Sequence, residues 1–376
     1  MRWREDGFTL VELMITLTIL VMALAASASV FTGLLTQFKQ ESKIAETSVE
    51  GVIGLEIMRQ DLEAAGLGVP WDLNGMSYNE VASAPYSTMN DGPPNNPARA
   101  GDHSVAADTA GVSNTPAPIR SAPNQGPLNL SDILAVKSVT VANNKTAGGW
   151  TLIACGPKLK TGLSGYTFSN SDNVITLIPA TRQLVVNAGI WHDTYGNVGN
   201  YAPPQVGGAC DPADTYIVYG LADNKTTTTI RMPFNRADYY VKVPANLPQR
   251  CAQGTGVLYK GVISQKDGSF SNELPLLDCV AIMKVSFGLD VENNGVITSS
   301  TDLSAKTAAN IISQLKEVRV SILAQEGQYD FNYTYPNTTV TLGTGYNFDI
   351  KNTIANYQHY RWKQYNLIVR TNLSGS

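Results

Sequence analysis

Oxygen-bearing side chains alternate in one segment of the chain in a pattern that some loops use to bind calcium. Asp290, Glu292 and Asn294 stand at alternate positions, and Gly295 follows at the sixth position. The twelfth position is Thr301, however, where such loops supply a glutamate. Asn294-Gly295 is also a strong signal for the turn of a β-hairpin. We therefore expect a hairpin without metal here, and a Ca²⁺ site built on the three oxygen-bearing residues is the alternative.

The four cysteines are the second group whose types and spacing bear on chemistry: Cys155, Cys210, Cys251 and Cys279. None of them stands in a CxxC or Cys/His spacing of the kind that binds zinc. An even number of cysteines in an exported domain indicates disulfides, although four cysteines allow three pairings. We favour Cys155 with Cys210 and Cys251 with Cys279, because each pair joins neighbours in the sequence. Isolated buried thiols are the alternative.

The three histidines do not suggest a catalytic site. His103, His192 and His359 are far apart in the sequence, and none belongs to a metal-binding or nucleophile-activating motif. The sequence also has no GxSxG, P-loop, GxGxxG or HExxH pattern. We therefore predict that the chain is not an enzyme and carries no cofactor other than the calcium alternative.

The composition indicates an exported protein that does not bind nucleic acid. Charged residues make up 15% of the chain, and the formal net charge is −4. Soluble domains usually have about 25% charged residues. No run of Lys and Arg interleaves with aromatic residues as a nucleic-acid groove would require.

The carboxylate of Glu12 is unusual because it is the only charge between residues 8 and 35. Residues 13–35 form an apolar stretch that, at about 1.5 Å per residue, is long enough to cross a hydrocarbon core of about 30 Å. Arg2 and Arg4 precede it and predict a cytoplasmic N-terminus with the rest of the chain outside. A carboxylate near the centre of a bilayer costs about 2.5 to 3.5 kcal/mol, so Glu12 requires a partner.

Two ordinary interpretations of this segment are a signal anchor and a cleaved signal peptide. Ala26-Ser27-Ala28 satisfies the small-residue rule for cleavage, and a mature chain would then begin at Ser29. Neither interpretation gives Glu12 a partner.

The segment Gly7-Phe8-Thr9-Leu10-Val11-Glu12-Leu13 resembles the leader junction of type IV prepilins. The resemblance implies that prepilin peptidase cuts after Gly7, which makes residues 1–7 a leader peptide, and methylates the new N-terminal amine of Phe8. It also implies that a neighbouring subunit's cationic amine neutralises Glu12 inside a filament, which offsets the cost of desolvating the carboxylate.

Three further segments follow the leader. Apolar residues recur at spacings of three and four up to the glycines that begin at Gly66, so we predict one continuous helix over residues 8–66. Residues 67–130 are rich in Pro, Asn and Gly and predict a long, irregular excursion. Short alternating runs then predict an antiparallel β-rich head over residues 131–376. The fold class is therefore α+β, and the resemblance of the leader implies the type IV pilin fold.

Several later segments make the chain similar to the PilW family of minor pilins: Ser131-Asp132-Ile133-Leu134-Ala135-Val136, Leu274-Pro275-Leu276-Leu277-Asp278, Val285-Ser286-Phe287-Gly288-Leu289-Asp290, Val318-Arg319-Val320, Tyr360-Arg361-Trp362 and Arg370-Thr371-Asn372. The resemblance implies a subunit that primes pilus assembly or lies near the filament tip. Its partners would be other minor and major pilins, the peptidase and the inner-membrane assembly platform. It would reside in the inner membrane before assembly, and in the periplasm and the cell-surface pilus afterwards. The alternatives are a type II secretion pseudopilin and a secreted binding protein with a cleaved signal peptide.

Overall fold

The first element is α1, an α-helix of 54 residues over Leu10–Glu63. In the computed structural model, which describes residues 9–91, 115–154, 167–186, 189–198, 215–222, 230–371 and 373, this helix is continuous. Thr9 caps its start, and Ala64 caps its end. Gly66 then adopts a positive φ of 81°, a conformation that favours glycine. The helix thus ends three residues before the predicted boundary.

The head consists mainly of strands. The remaining elements of the described residues are β1 (Ile119–Ala122), β2 (Ile133–Ser138), β3 (Trp150–Ala154), β4 (Asn173–Leu177), β5 (Asp193–Thr194), β6 (Thr215–Ala222), β7 (Asn235–Lys242), β8 (Gly256–Ile263), β9 (Phe270–Leu289), β10 (Thr298–Ser300), α2 (Ala308–Gln314), β11 (Leu315–Glu326), β12 (Thr339–Thr341), β13 (Asn347–Asp349), α3 (Ile350–Thr353) and β14 (Arg361–Arg370), with short 3-10 turns at Tyr86–Met89 and Tyr357–His359.

Eight of the described strands form one antiparallel sheet in the order β1-β2-β7-β8-β9-β11-β14, with β10 paired to β9. The 20-residue strand β9 joins the two halves of this sheet: its first part pairs with β8, and its last part pairs with β11. Two smaller sheets, β3-β6-β4-β5 and β12-β13, flank it. The large antiparallel β-rich head that the sequence predicts is therefore present.

The C-terminal half of α1 covers one face of the main sheet. Met58 and Leu62 of α1, together with Ala65 just after its end, are buried there against alternate residues of the central strands. Strand residues point to opposite faces in turn, so Ala237, Tyr239 and Val241 of β7 face the helix while their neighbours face away. This arrangement fixes the helix to the head along half of its length.

The opposite face of the sheet is covered by the chain that follows α1. Met89 packs against Ile133, Ala135 and Tyr240 on that face. Residues 67–91 have little regular secondary structure, but they are packed into the head, so the prediction of an excursion over residues 67–130 is wrong for this part. β1 also lies within that range and pairs with β2, so the sheet begins before residue 131. The rest of the excursion, residues 92–114, lies outside the described residues.

Candidate functional site: the N-terminal helix and its seat on the head

The N-terminal half of α1 is apolar and has no neighbours within the subunit. Residues 9–39 are all solvent-exposed, and they include sixteen large apolar side chains between Leu10 and Phe38. Among the described residues, α1 is the helix that is long and apolar enough to cross a membrane, and none of its apolar window is buried. The core helix of a soluble protein would instead be mostly buried. This half of α1 therefore requires an apolar partner outside the subunit.

The start of α1 places Glu12 in the first helical turn. The backbone N–H of Glu12 donates to Oγ1 of Thr9 at 3.3 Å, which caps the helix. The carboxylate also lies at the positive end of the helix dipole. Gly7 and Phe8 lie outside the described residues, so their part in processing, like the pairing of Glu12 with a neighbouring amine, stays a prediction.

Two glycines allow α1 to approach the sheet closely. A Cβ atom at Gly54 would lie 2.2 Å from the carbonyl oxygen of Leu276 in β9. A Cβ at Gly51 would lie 2.9 Å from the ring of Tyr365 in β14. Sequence reasoning missed this role, although two glycines three positions apart on one face of an amphipathic helix are the signal for a close approach.

Polar contacts hold α1 on the head at both ends of the region where the two pack together. At the end nearer the exposed half of α1, the N–H of Gly327 donates to Oγ1 of Thr47 at 3.2 Å. Near the C-terminal end of α1, the carboxylate of Asp61 accepts from the hydroxyl of Tyr239 at 2.5 Å and pairs with Nζ of Lys260 at 2.5 Å. Burial raises the pKa of Asp61, and Lys260 and Tyr239 oppose that effect in part. These contacts fix where along the helix the head sits.

A buried ionic cluster holds residues 67–91 against the face of the main sheet that is opposite α1. Its six members carry three negative and three positive charges: Glu80, Asp91, Asp238, Arg120, Lys137 and Arg236. Lys137 contacts Glu80 at 2.9 Å and Asp91 at 2.7 Å. Burial alone raises the pKa of Asp91, but Lys137 and Arg120 together outweigh it and lower the pKa to about 2. Glu80 and Asp91 belong to residues 67–91 and Arg120 belongs to β1, so the cluster ties these parts of the chain to each other and to β2 and β7.

A disulfide joins Cys251 and Cys279, one of the two pairings that the sequence favours. Cys279 has a positive φ of 54° at a bulge in β9, where the pairing with β8 shifts register. The two cysteines are 28 positions apart in the sequence. In the chain-entropy model, a disulfide that closes a loop of this length stabilises the folded protein by about 3 to 4 kcal/mol. Cys155 and Cys210 lie outside the described residues, so their pairing stays a prediction.

The loop between β9 and β10 contains the calcium-like pattern. Both oxygens of Asp290 accept backbone N–H groups, from Asn294 and from Gly295, each at 3.0 Å. Glu292 Oε2 accepts from the Asn294 side chain at 3.0 Å. The segment is thus a hairpin connection, but eight residues separate the strands rather than a two-residue Asn-Gly turn. Backbone N–H groups thus occupy both oxygens of the Asp290 carboxylate, and among the described residues no group of three or more His, Cys, Asp or Glu side chains has an arrangement that could hold a metal ion.

A long N-terminal helix followed by a large antiparallel β-rich head is the type IV pilin-like fold that the sequence predicts. A family model described as the prokaryotic N-terminal methylation motif matches residues 4–28. None of the curated proteins matches the chain. Among solved structures, a type IV-like pilin from Thermus thermophilus is similar over 61% of this chain and 85% of its own length, at 10% identity and a TM-score of 0.21.

The motif and the architecture agree on the class of protein. The chain combines an N-terminal methylation motif with a type IV pilin-like fold. The helix that follows the motif has an exposed apolar half and a half that is packed on the head.

Proposed function

We propose that this chain is a minor pilin of a type IV pilus, similar to the PilW family, that primes filament assembly and lies near the tip. The observation that carries the proposal is the division of α1. Its exposed apolar half follows a methylation motif, and its other half is built into the head. A helix with this division can stay in the inner membrane and later pack among the helices of other pilins.

Glu12 sets the register of that packing. An apolar filament core disfavours an unpaired carboxylate, whereas a cationic amine from a neighbouring subunit neutralises it. The methylated amine of Phe8 is the natural partner, because each subunit then offers one amine and one carboxylate. The subunit is inserted only at the position where both are paired.

The size of the head supports a rare or terminal position. A compact domain of about 310 residues has a radius of gyration of about 19 Å. Heads of that size would crowd one another if they followed every helix of a thin filament. A subunit used once, with its head docked on other minor pilins, avoids this crowding.

The first experiment is the N-terminal sequence and mass of the mature protein from its native host. The proposal expects a chain that begins at Phe8 with a methylated amine. A chain that begins at Ser29 would overturn it and indicate a secreted protein with a cleaved signal peptide.

The second experiment separates a pilus from a type II secretion machine, since both use the same leader. Deletion of the gene should abolish or strongly reduce surface pili and leave protein secretion intact. Loss of secretion with normal pili would indicate a pseudopilin instead.

A further inference from the structure

We propose that the head carries its own membrane-contact surface, formed by the base loop (residues 327–335), which rests on the outer leaflet of the bilayer that its own helix spans. The partner is the lipid headgroup region of the inner membrane before the subunit enters a filament. This inference rests on the proposed membrane insertion of α1 and adds a second contact with the same membrane.

The base loop lies where α1 leaves the head. Gly327 contacts Thr47 of α1 through its N–H and packs close to the side chain of Ile44. The side chain of Gln40 is also near enough to the Asp330 carboxylate to help lower its pKa. The loop is therefore level with residues 40–47 of the helix.

This level corresponds to the headgroups. The apolar stretch ends at Leu35, five residues before Gln40, and five residues of helix span about 7.5 Å. The polar regions of a bilayer extend about 5 to 7 Å beyond the hydrocarbon core on each side. With the apolar stretch in the core, the near edge of the base loop lies at the boundary between lipid and water.

The chemistry of the base loop suits that boundary. It carries four aromatic residues, Tyr329, Phe331, Tyr333 and Tyr335, and the side chain of Phe331 is 76% exposed. Tyr329 is also exposed, and both rings pack on His359. Aromatic side chains are enriched at membrane interfaces because their rings suit the headgroup layer.

Hydrogen bonds and an ion pair fix the conformation of the base loop, so its exposed aromatic rings cannot turn into the head. The N–H of Asp330 donates to the carbonyl of His359 at 2.9 Å, and its carboxylate accepts from Asn332 and Arg361. Nearby, Glu326 pairs with Lys363 at 2.7 Å. These two carboxylates are thus neutralised by cations, which reduces the cost of bringing this end of the head close to lipid.

The opposite end of the head supplies a matched control. Val296, in the loop between β9 and β10, is also an exposed apolar residue, at 63%. Strand β11 runs from this end, at Leu315, to the base loop, and its paired stretch of nine steps covers about 30 Å. The outer leaflet should therefore lie out of reach of Val296.

The test is site-specific photocrosslinking of the full chain in vesicles of phosphatidylethanolamine and phosphatidylglycerol. A photoreactive p-benzoylphenylalanine replaces Phe331, Val296 or Leu20, one at a time, and adducts are identified by mass spectrometry. We expect lipid adducts at positions 331 and 20 and none above background at position 296.

The other outcomes separate the inference from the function on which it rests. Lipid adducts at position 20 without any at 331 would overturn the membrane-contact surface and leave membrane insertion intact. Adducts at 331 to a second protein chain, without lipid, would overturn it in favour of a subunit interface. No lipid adduct at position 20 would overturn both the insertion of α1 and this inference.

Discussion

At the scale of single residues, Gly54 sets how closely the helix approaches the sheet. A methyl group there would lie 2.2 Å from a backbone oxygen of β9, which cannot move aside as a flexible side chain can. We expect Gly54→Ala to destabilise the head by about 1 to 3 kcal/mol, the usual cost of overpacking. Thermal unfolding of the full chain in detergent, followed by circular dichroism, would measure this loss.

Gly33→Ala is the matched control, since it is the same substitution in the same helix. A Cβ at Gly33 has no atom within 4 Å, and alanine is the better helix former by about 1 kcal/mol. The unfolding temperature of the head should not fall in this variant. Equal unfolding temperatures for the two variants would contradict the close approach at Gly54.

Glu12 is the residue on which the assembly mechanism depends. Glu12→Gln keeps the size of the side chain and removes the charge that a neighbouring amine would neutralise. We expect this variant to insert into the inner membrane normally but to be absent from sheared pili, as measured by immunoblotting of both fractions. Glu41→Gln, beyond the apolar stretch of the same helix, should be incorporated as the natural protein is. Normal incorporation of Glu12→Gln would show that this charge does not set the register.

At the scale of elements, the ionic cluster ties the segment after α1 to the far face of the sheet. The pKa of Asp91 is lowered from its ordinary value to about 2 in the folded protein. A lowered carboxyl pKa contributes stability above the unfolded value of about 4, and that contribution is lost as the pH falls toward 2. The head should therefore lose stability between about pH 4 and pH 2.

Comparison with Asp91→Asn isolates this contribution, because the other carboxylates are the same in both proteins. At pH 7 the variant should be less stable by about 3 to 5 kcal/mol, the cost of breaking a buried ion pair. The difference in unfolding temperature between the two proteins should shrink as the pH falls through the same window. Glu292→Gln, at an exposed position in the loop after β9, should show no such convergence. A difference that is constant from pH 7 to pH 2 would rule out Asp91 as the source.

The same cluster explains which elements could be predicted from the sequence. The bounds of α1 follow from its own apolar pattern, and the prediction came within three residues of them. The packing of residues 67–91 could not be predicted, because Glu80 and Asp91 look like surface residues until their partners are known. Those partners, Lys137 and Arg236, are 46 to 156 positions away in the chain. The close approach of α1 to the sheet could not be predicted for the same reason, because the role of Gly51 and Gly54 becomes clear only once β9 and β14 are known to lie against them.

At the scale of the whole molecule, the fold separates two tasks along one helix. At about 1.5 Å per residue, α1 is about 80 Å long. The head contacts it only beyond about residue 40. Under the proposed function, the free half can therefore leave a membrane and enter a filament without any change in the head. Within one subunit the free half does not limit the size of the head, because residues 9–39 are exposed and the head does not cover them.

This separation leads to a prediction about where the head is found. An epitope tag inserted after Asn293, in the exposed loop at the end of the head farthest from the free helix, should leave the fold intact. If the large head confines the subunit to a terminal position, immunogold against the tag should label filament ends. The same tag on the major pilin should label the whole shaft. Gold particles spread along the shaft in the first case would mean that heads of this size fit side by side, and the terminal position would then have to be abandoned.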